Sequence, residues 1–335
     1  MSQKSLFDTL VQNLQDTVRD AIQYTSSSRA LVIYDEQSPL AIMLRDAYRV
    51  VLPDAEFLHF DTVQPAEVLE HIHALHPQDL VILVQSTNFR LNEFRLRIVL
   101  FERSLKTIEH LHLNRMTEEQ YPTYIDALAY DVDYYRTHGQ GIARVIETAS
   151  RVEVYGPGTC LVYETRFEAV KRNVGDYREM KNVGGTFPIG EVFTEPRELE
   201  KVNGDVMIFA FADIDHKVSL QEPFHATVRE GILDAPHAPD LFQQTLAMIR
   251  QEERVLVREF GLGLNRAMGR HHPVSDITAF ERMKGVHLSL GEKHGVYKKP
   301  GLQPGKTRYH VDIFLAVDRI LVDGKPLFEA GEYIF

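Results

Sequence analysis

The first third of the chain alternates short β-rich runs with longer amphipathic runs, and this alternation constrains the fold more than any other feature. The runs in chain order are Ala30–Tyr34, Leu40–Val51, Glu56–Phe60, Pro65–Leu75, Asp79–Gln85, Phe89–Ser104 and Thr107–Leu113. Strands that alternate with helices require right-handed crossovers and a parallel sheet covered by helices. The pattern therefore predicts an N-terminal Rossmann-like parallel α/β domain.

The loop after the first predicted strand argues against dinucleotide binding. The segment Asp35–Pro39 contains two acidic residues and no glycine. A pyrophosphate needs glycines at this turn so that the backbone can approach it closely. The predicted architecture therefore implies no nucleotide cofactor.

The pattern changes in the second half of the chain. Two helical stretches are predicted at Thr117–Tyr135 and Gly141–Ser150, and Gly139 and Gly141 indicate a break between them. Beyond them one helix, Pro239–Glu253, is predicted among the strands Arg151–Tyr155, Thr159–Phe167, Asp205–Phe211, Glu253–Phe260, Lys284–Leu290 and Arg308–Val317. Since 335 residues exceed the usual size of a single core, we expect two domains, a Rossmann-like domain at residues 1–150 and a mainly antiparallel α+β metal-binding domain at residues 151–335.

Charge and cysteine content exclude several classes of protein. The net charge of -11 argues against nucleic acid or an anionic membrane as a partner, because both require a basic surface. The single cysteine, Cys160, excludes an internal disulfide and fits a reducing compartment. The amino terminus has no signal-peptide pattern, and apolar runs such as Leu80–Val84 are far shorter than the ~20 residues of a membrane helix. We expect a cytoplasmic protein.

Five residues with metal-binding side chains stand beside glycines or inside strand-like runs of the second domain. They are Glu191, Glu259, His287, His310 and Asp312. Carboxylates and imidazoles in this mixture suit zinc, cobalt or manganese better than metals that prefer thiolates. Two divalent cations, the three carboxylates and one bridging hydroxide would sum to zero net charge. The pattern indicates a two-metal hydrolase site.

The neighbouring residues support a metal-binding role for some of these five residues more than for others. A strand period of two places His310 and Asp312 on one face. Glu259 lies between Val257 and a glycine-rich run, where a buried carboxylate is costly unless it is paired or bound to metal. Taken singly, each motif is also explained by a surface pair or by a hydrogen-bonded structural residue.

Taken together, the four segments resemble those of the aminopeptidase T and aminopeptidase S family of dinuclear metallopeptidases, the thermophilic aminopeptidases. The matching motifs lie, in chain order, at Pro188–Pro196, Glu259–Asn265, His287–Gly291 and His310–Asp312. The resemblance extends from Val152–Thr159 to Asp323–Lys325 and covers most of the second domain. It is weak over the first domain, which is α/β in both.

The resemblance implies an activity, a ligand set and a partner. The five residues would bind two divalent metal ions, zinc, cobalt or manganese. A water activated by the two metals would hydrolyse the N-terminal amide bond of a peptide or amino-acid amide, and the family implies a homodimer. Glu191 and Glu259 are both catalytic candidates. Which of them bridges the metals and which acts as base stays open, with Glu259 favoured as the bridging ligand because its glycine-flanked strand places it deepest.

His294 is the position where the chain departs from the family pattern. The family has a tyrosine seven residues after the first histidine, where this chain has His294, and Tyr297 follows three residues later. An imidazole could replace the phenol as a neutral ligand or proton donor, but it titrates near neutral pH. We predict a catalytic role for His294. The alternative is a solvated loop residue, because Gly295–Pro300 has the composition of an exposed loop.

Two other functions are compatible with this type of chain. A related branch resembles ring-cleaving dihydroxypyridine dioxygenases, which use one iron held by two histidines and one carboxylate. That branch has histidine in place of Glu259 and lacks the counterpart of Glu191, and both glutamates are present here. A non-catalytic relative that binds a peptide or metabolite is the second alternative. Metal content distinguishes the three functions.

Histidine-rich tracts of the first domain have a simpler interpretation. His71–His76 and His110–His112 come with no carboxylate cluster. A solvated or edge-packed role is therefore predicted for them, and Asp213–His216 is predicted to form a hairpin turn.

Overall fold

The strand and helix alternation of the first third produces a five-stranded parallel sheet. In the computed structural model, which describes residues 5–91, 94–299, 301–302 and 306–335, its strands are β1 (Ala30–Tyr34), β2 (Glu56–His59), β3 (Leu80–Val84), β6 (Lys106–His110) and β10 (Gly184–Phe187). They are arranged in the order β10-β6-β3-β1-β2, and every pair is parallel. The predicted parallel α/β sheet is confirmed.

Eight α-helices accompany the strands in the described part of the chain. They are α1 (Leu6–Asp16), α2 (Pro39–Val51), α3 (Pro65–His73), α4 (Leu96–Glu102), α5 (Tyr121–Ala127), α6 (Val132–Thr148), α7 (Asp240–Arg250) and α8 (Ile277–Phe280). Local signals decide where they begin: the Ser38 hydroxyl accepts a hydrogen bond from the Ala41 N–H, and Pro39 occupies the first turn of α2. Among the described helices, none has both the length and the apolar character required to cross a bilayer.

The core of the parallel sheet forms where its central strands are apolar on both faces. Leu31 and Ile33 of β1 and Val81 and Leu83 of β3 are buried in one cluster with apolar residues of the helices, among them Ile72. Continuous apolar runs are what a parallel sheet covered on both faces requires. This explains why the runs that form β1 and β3 are apolar throughout.

Two predicted helices of the first half are wrong in extent. Within Phe89–Ser104 the described residues form strands β4 (Arg90–Leu91) and β5 (Phe94–Arg95) before α4 begins. The helix break predicted at Gly139 and Gly141 is also wrong, because α6 runs through both glycines. A Cβ on Gly141 would lie 2.5 Å from the ring of Phe335. That glycine makes room for a packed aromatic ring and does not end a helix.

The last strand of the parallel sheet comes from a later part of the chain than the alternation predicted. β10 pairs with β6 in parallel, with Gly184 opposite Thr107. Gly184 has a φ of +98°, and a Cβ there would lie 1.8 Å from the Thr107 carbonyl oxygen. Only glycine can occupy this position. The segment that leads to Glu191 therefore begins as a strand of the parallel sheet.

The second sheet accounts for the strand-rich half. Its members are β7 (Val152–Gly156), β8 (Thr159–Tyr163), β9 (Lys171–Asn173), β11 (Glu191–Thr194), β12 (Val202–Ala212), β13 (Val218–Arg229), β14 (Ile232–Asp234), β15 (Val257–Gly263), β16 (Gly285–Leu290), β17 (Val311–Leu315), β18 (Arg319–Val322), β19 (Lys325–Glu329) and β20 (Glu332–Tyr333). Its main path is β20-β19-β18-β7-β8-β12-β17-β16-β15-β11-β9, with β13 beside β12 and β14 beside β13. The predicted mixed α/β class, with one parallel and one mainly antiparallel sheet, is confirmed. Asp213–His216 lies in the turn between β12 and β13, as predicted.

Contacts along the backbone divide the chain into two units. Unit 1 contains Met1–Arg136, Asn173–Ile189 and His272–Ala279, and unit 2 contains Thr137–Arg172, Gly190–His271 and Phe280–Phe335. The chain first enters unit 2 at Thr137. The sequence predicts the boundary between the two domains near residue 150. Two later segments return to unit 1, one of which carries β10.

Candidate metal centre

Four neighbouring strands of the second sheet carry the predicted ligands. Glu191 begins β11, Glu259 lies in β15, His287 lies in β16 and Asp312 lies in β17, while His310 precedes β17 by one residue. These strands are adjacent in the order β17-β16-β15-β11. Sheet pairing therefore brings together residues that are far apart in the sequence.

The strand registers place the ligands on one face. Gly263 of β15 is opposite Glu191, Gly261 is opposite His287, and Ser289 of β16 is opposite Asp312. Because side chains alternate along a strand, the site face of β15 carries Glu259 followed by two glycines. The opposite face carries buried apolar residues, namely Phe260, Leu288 and Ile313. The sheet is thus apolar on one face and carries the predicted ligands on the other.

The first ligand group contains Glu191, Glu259 and His287, all buried. Nε2 of His287 lies 3.2 Å from Oε1 of Glu191 and 3.2 Å from Oε1 of Glu259. A single ring nitrogen has one hydrogen to donate at most, so it cannot satisfy two carboxylates equally. Two anionic oxygens and a nitrogen that converge on one point fit a divalent cation.

The second group contains Glu259, His310 and Asp312. Nδ1 of His310 lies 3.3 Å from the carbonyl oxygen of Lys293, and Nε2 lies 3.1 Å from Oδ1 of Asp312. An Nδ1–H that donates to a carbonyl leaves Nε2 free to bind a metal, which is the usual support for a ligating histidine. Oδ1 of Asp312 is buried and accepts no hydrogen bond from any described donor. A cation would satisfy that oxygen.

Glu259 belongs to both groups. Within each group the ligand-type atoms lie within 4.8 Å of one another. The five predicted ligands therefore form two overlapping clusters joined by one carboxylate. Their residue types and spacing can hold one or two cations that prefer oxygen and nitrogen ligands.

Gly261 provides the space that His287 occupies. A Cβ at Gly261 would lie 2.1 Å from both Cε1 and Nε2 of the His287 ring. Real Cβ atoms do not approach ring atoms so closely, so any larger residue would displace the imidazole. The glycine after Glu259 and Phe260 is thus part of the site, although it supplies no ligand.

A β-bulge sets the position of Glu259. Val257 pairs with Leu290 and Phe260 with Leu288, so Arg258 and Glu259 together oppose Ser289. The backbone N–H of Glu259, displaced from the regular ladder, donates to the Ser289 hydroxyl over 3.0 Å. The bulge therefore moves two consecutive charged residues away from the apolar face without leaving this donor unsatisfied.

Arg258, the other bulge residue, anchors the segment that follows β16. Its guanidinium is buried and pairs with Glu195, and it donates to the carbonyl oxygens of Glu292 and Tyr297. The distance to the Tyr297 oxygen is 3.2 Å. Because both carbonyls flank His294, Arg258 holds the backbone on either side of that histidine.

His294 lies against Glu259. Its side chain is only 2% exposed, and Nε2 lies 2.8 Å from Oε2 of Glu259. Nδ1 accepts a hydrogen bond from the Val296 N–H over 3.1 Å, so the proton of the neutral ring must sit on Nε2 and point at Glu259. The imidazole is therefore not solvated, although its segment is polar. Pro300, at the end of that segment, lies outside the described residues.

Tyr297 does not take the place of His294. Its hydroxyl donates to the Ala169 carbonyl oxygen over 2.7 Å. Burial raises the pKa of this phenol. The ring packs beside His294, with centroids 4.8 Å apart. Tyr297 thus supports the wall of the site.

The electrostatics of the cluster are those of an anionic pocket. Burial alone would raise the pKa of Glu259, but hydrogen bonds with His287 and His294 hold it well below its usual range. Burial would likewise lower the pKa of His310, but Asp312 and neighbouring carboxylates raise it to about 10. Burial would also lower the pKa of His287, but Glu191 and Glu259 raise it. A field that stabilises protons on these two imidazoles also stabilises a cation.

Two charged residues beside the cluster carried no signal in the sequence. Nη1 of Arg282 lies 2.8 Å from Oε2 of Glu191 and also pairs with Glu281. Burial raises the pKa of Glu281 to about 8; Arg282 opposes this shift, and Glu191 and Asp312 add to it. A Glu-Arg pair before a strand has the composition of an ordinary solvated turn. Only the pairing of β15 with both β11 and β16 reveals the position of this pair.

One histidine of the first unit departs from its prediction. His110 is fully buried, with Nε2 2.8 Å from the Tyr48 hydroxyl and Nδ1 3.0 Å from the Tyr124 hydroxyl. The predicted solvated or edge-packed role is therefore wrong for this residue, because two buried phenols satisfy both ring nitrogens. Burial lowers the pKa of His110 to about 3, so it is neutral at physiological pH.

Comparison with known proteins shows the fold. No protein-family model and no curated protein sequence matches the chain. The structure is similar to 2,5-dihydroxypyridine dioxygenase from Pseudomonas putida KT2440, with a TM-score of 0.63 and 13% identity over 100% of this chain and 98% of that one. It is also similar to AmpT from Thermus thermophilus, with a TM-score of 0.61 and 12% identity over 99% of this chain and 100% of that one. At these identities the likeness establishes a shared fold.

Proposed function

We propose that this protein is a metal-dependent aminopeptidase that hydrolyses the N-terminal amide bond of peptides at a two-metal site. The observation that carries the proposal is the pair of overlapping ligand groups that share Glu259. A carboxylate common to two clusters is what a site for two neighbouring cations requires, since one residue must contact both. The aminopeptidase T and S family is the family to which we assign the chain.

The proposed ligands divide between the two positions. Glu191 and His287 would hold one cation, His310 and Asp312 would hold the other, and Glu259 would bridge them. Two divalent cations bound there, zinc, cobalt or manganese, would supply Lewis acidity that polarises the scissile carbonyl and makes a water acidic near neutral pH. The buried carboxylates favour such cations, because no permanently charged side chain other than Arg282 contacts them among the described residues.

The chain's own groups would manage the proton. His294 holds a proton on Nε2 at 2.8 Å from Oε2 of Glu259, so it can orient that carboxylate and supply a proton beside it. We propose that Glu259 and His294 act together, with Glu191 as a ligand. This extends the sequence hypothesis, which left open the division of roles between the two glutamates.

The substrate, partner and location follow from the same proposal. A peptide or amino-acid amide with a free amino terminus is the substrate class that this activity implies, because a free amino group could approach one of the proposed cations as a ligand. We propose a homodimer in the cytoplasm. Light scattering of the purified protein tests the oligomeric state.

The second candidate is a ring-cleaving dioxygenase with one iron. The similarity to 2,5-dihydroxypyridine dioxygenase favours it, and the two neighbours have nearly equal TM-scores. The ligand set disfavours it, since single-iron oxygenases use two histidines and one carboxylate. Each described cluster contains one histidine and two carboxylates.

Metal content and substrate cleavage decide between these functions. Protein loaded with cobalt, zinc or manganese should bind about two ions per chain and release the first residue from amino-acid amides and p-nitroanilides. N-acetylated versions of the same substrates are the control and should not be cleaved. One iron per chain with oxygen-dependent opening of a dihydroxypyridine would establish the second candidate. Absence of bound metal after loading would leave a non-catalytic binding protein.

A further inference from the structure

Arg282 is fixed beside the candidate metal centre by its backbone. Its carbonyl oxygen accepts a hydrogen bond from the Asn265 N–H over 2.8 Å, and the Lys284 N–H donates to the Asn265 carbonyl over 3.1 Å. Gly263 allows this close approach, because a Cβ there would lie 1.8 Å from the Met283 carbonyl oxygen. Asn265 follows β15 closely in the chain. The position of Arg282 is therefore tied to the strand that carries Glu259.

The two carboxylate oxygens of Glu191 have different neighbours, because Arg282 contacts only one of them. Nη1 of Arg282 lies 2.8 Å from Oε2, and the two side chains are 7% and 6% exposed. Oε1 lies 3.2 Å from Nε2 of His287. One oxygen of the carboxylate therefore faces the ligand group, and the other is held by a guanidinium.

The other ligand carboxylates contact groups that can lose their protons. Both oxygens of Glu259 face imidazoles, and Oδ1 of Asp312 faces His310. An imidazole can give up its proton when a cation arrives, but a guanidinium stays protonated at any physiological pH. Arg282 therefore keeps its hold on Oε2 of Glu191 when the neighbouring histidines become ligands.

We propose that Arg282 is a positioning residue that restricts Glu191 to a single ligand oxygen, Oε1. This inference rests on the proposed function, since it requires a cation at the group formed by Glu191, Glu259 and His287. A carboxylate without this contact would be free to rotate and to bind a cation through both oxygens. A cation held there would receive one oxygen of Glu191 and not two, which would leave room for water or substrate beside it.

Charge and positioning make opposite predictions for Arg282→Met. Loss of a positive charge beside the site would by itself strengthen cation binding. Loss of positioning would weaken it, typically by about 10- to 100-fold for a group that supports a ligand. Arg282→Lys keeps the charge and one hydrogen-bond donor for Oε2. Arg97→Met is the matched control, because Arg97 pairs with buried Glu109 over 2.7 Å in the other unit.

The experiment compares cobalt-loaded wild type with these three variants, measuring cobalt affinity by chelator competition and the visible absorption of the bound cobalt. We expect Arg282→Met to bind cobalt at least about 10-fold more weakly, with a weaker absorption band from higher coordination. Arg282→Lys and Arg97→Met should retain the wild-type spectrum. An unchanged spectrum in Arg282→Met, whatever its cobalt affinity, would overturn the proposal.

A variant-independent measurement covers the case in which Arg282→Met does not fold. In a crystal structure of the metal-loaded wild type, Glu191 should bind through Oε1 alone while Oε2 remains on Arg282. Glu191 bound through both oxygens would overturn the inference and leave the proposed function intact. Failure of the wild type to bind any metal would instead refute the proposed function.

Discussion

Replacing Gly261 with alanine should displace His287 without disturbing the backbone. Gly261 does not have a positive φ, so alanine meets no conformational strain there. Its methyl carbon would lie 2.1 Å from Nε2 of His287, about 1.3 Å inside the 3.4 Å at which ordinary van der Waals contact begins. The two residues are paired on adjacent strands, so the backbones cannot separate to relieve the clash. The imidazole must move by about 1 Å, at a cost of about 1–3 kcal/mol in the free energy of unfolding.

That displacement exceeds what a metal site tolerates. Ligand distances must be met within about 0.2 Å, so Gly261→Ala should lose cation affinity, and a misplacement of about 1 Å should lower turnover by about 100-fold. Cobalt affinity and amide hydrolysis are the assays, with thermal unfolding to measure the stability cost. Gly269→Ala is the control, because a Cβ there meets nothing within 4 Å. Wild-type affinity and turnover in Gly261→Ala would refute the reasoning.

Three other substitutions test separate parts of the structure. Glu259→Gln removes the carboxylate common to both groups, so cation affinity and turnover should each fall by at least about 10-fold while the circular dichroism spectrum is retained; full activity would contradict the assignment. His294→Ala should lower turnover on an amino-acid amide by more than ~10-fold with metal content intact, and His294→Tyr should recover much of that turnover. If the alanine variant keeps wild-type turnover from about pH 6 to 9, His294 has no catalytic role. For His110 the pKa is lowered from 6.5 to about 3 in the folded protein. As the pH falls through 6.5, His110 therefore binds a proton in the unfolded chain but not in the folded chain. Wild type should lose about 2 kcal/mol of unfolding free energy between about pH 7 and 5 through this residue, and His110→Gln should lack that loss in urea titrations. Equal losses in the two proteins would show that His110 takes up a proton as readily in the folded chain as in the unfolded chain.

Periodicity predicts elements well where one residue pattern decides one local structure. The alternating runs of the first third became strands and helices because their apolar residues face a sheet core. Pairing between distant segments leaves no such trace. β10 contains two glycines and reads as a loop, yet it joins β6 in the parallel sheet. Gly141 looks like a helix breaker, and only the position of Phe335 shows its use.

The candidate site likewise contains some residues that the sequence predicts and others that only strand pairing reveals. Glu191, Glu259, His287, His310 and Asp312 could be selected from the sequence because their residue types and neighbours were unusual, and the structure brings them together. Their role as ligands stays a prediction. The supporting groups depend on register: Ser289 matters because a bulge places it opposite Glu259, and Arg282 matters because β11 lies beside β15. No local pattern in the sequence encodes those pairings.

The bulge in β15 has a consequence for aligning this chain with distant relatives. If Arg258 were deleted, Val257 would still pair with Leu290 and Phe260 with Leu288, and Glu259 would oppose Ser289 in a regular ladder. Arg258 is therefore the extra residue of the bulge, and its loss would leave the pairing of Val257 and Phe260 unchanged. An alignment gap at this position should be read as compatible with the same candidate metal centre. What such a relative would lack is the guanidinium that holds the backbone around His294, so its counterpart of that segment would need a different anchor.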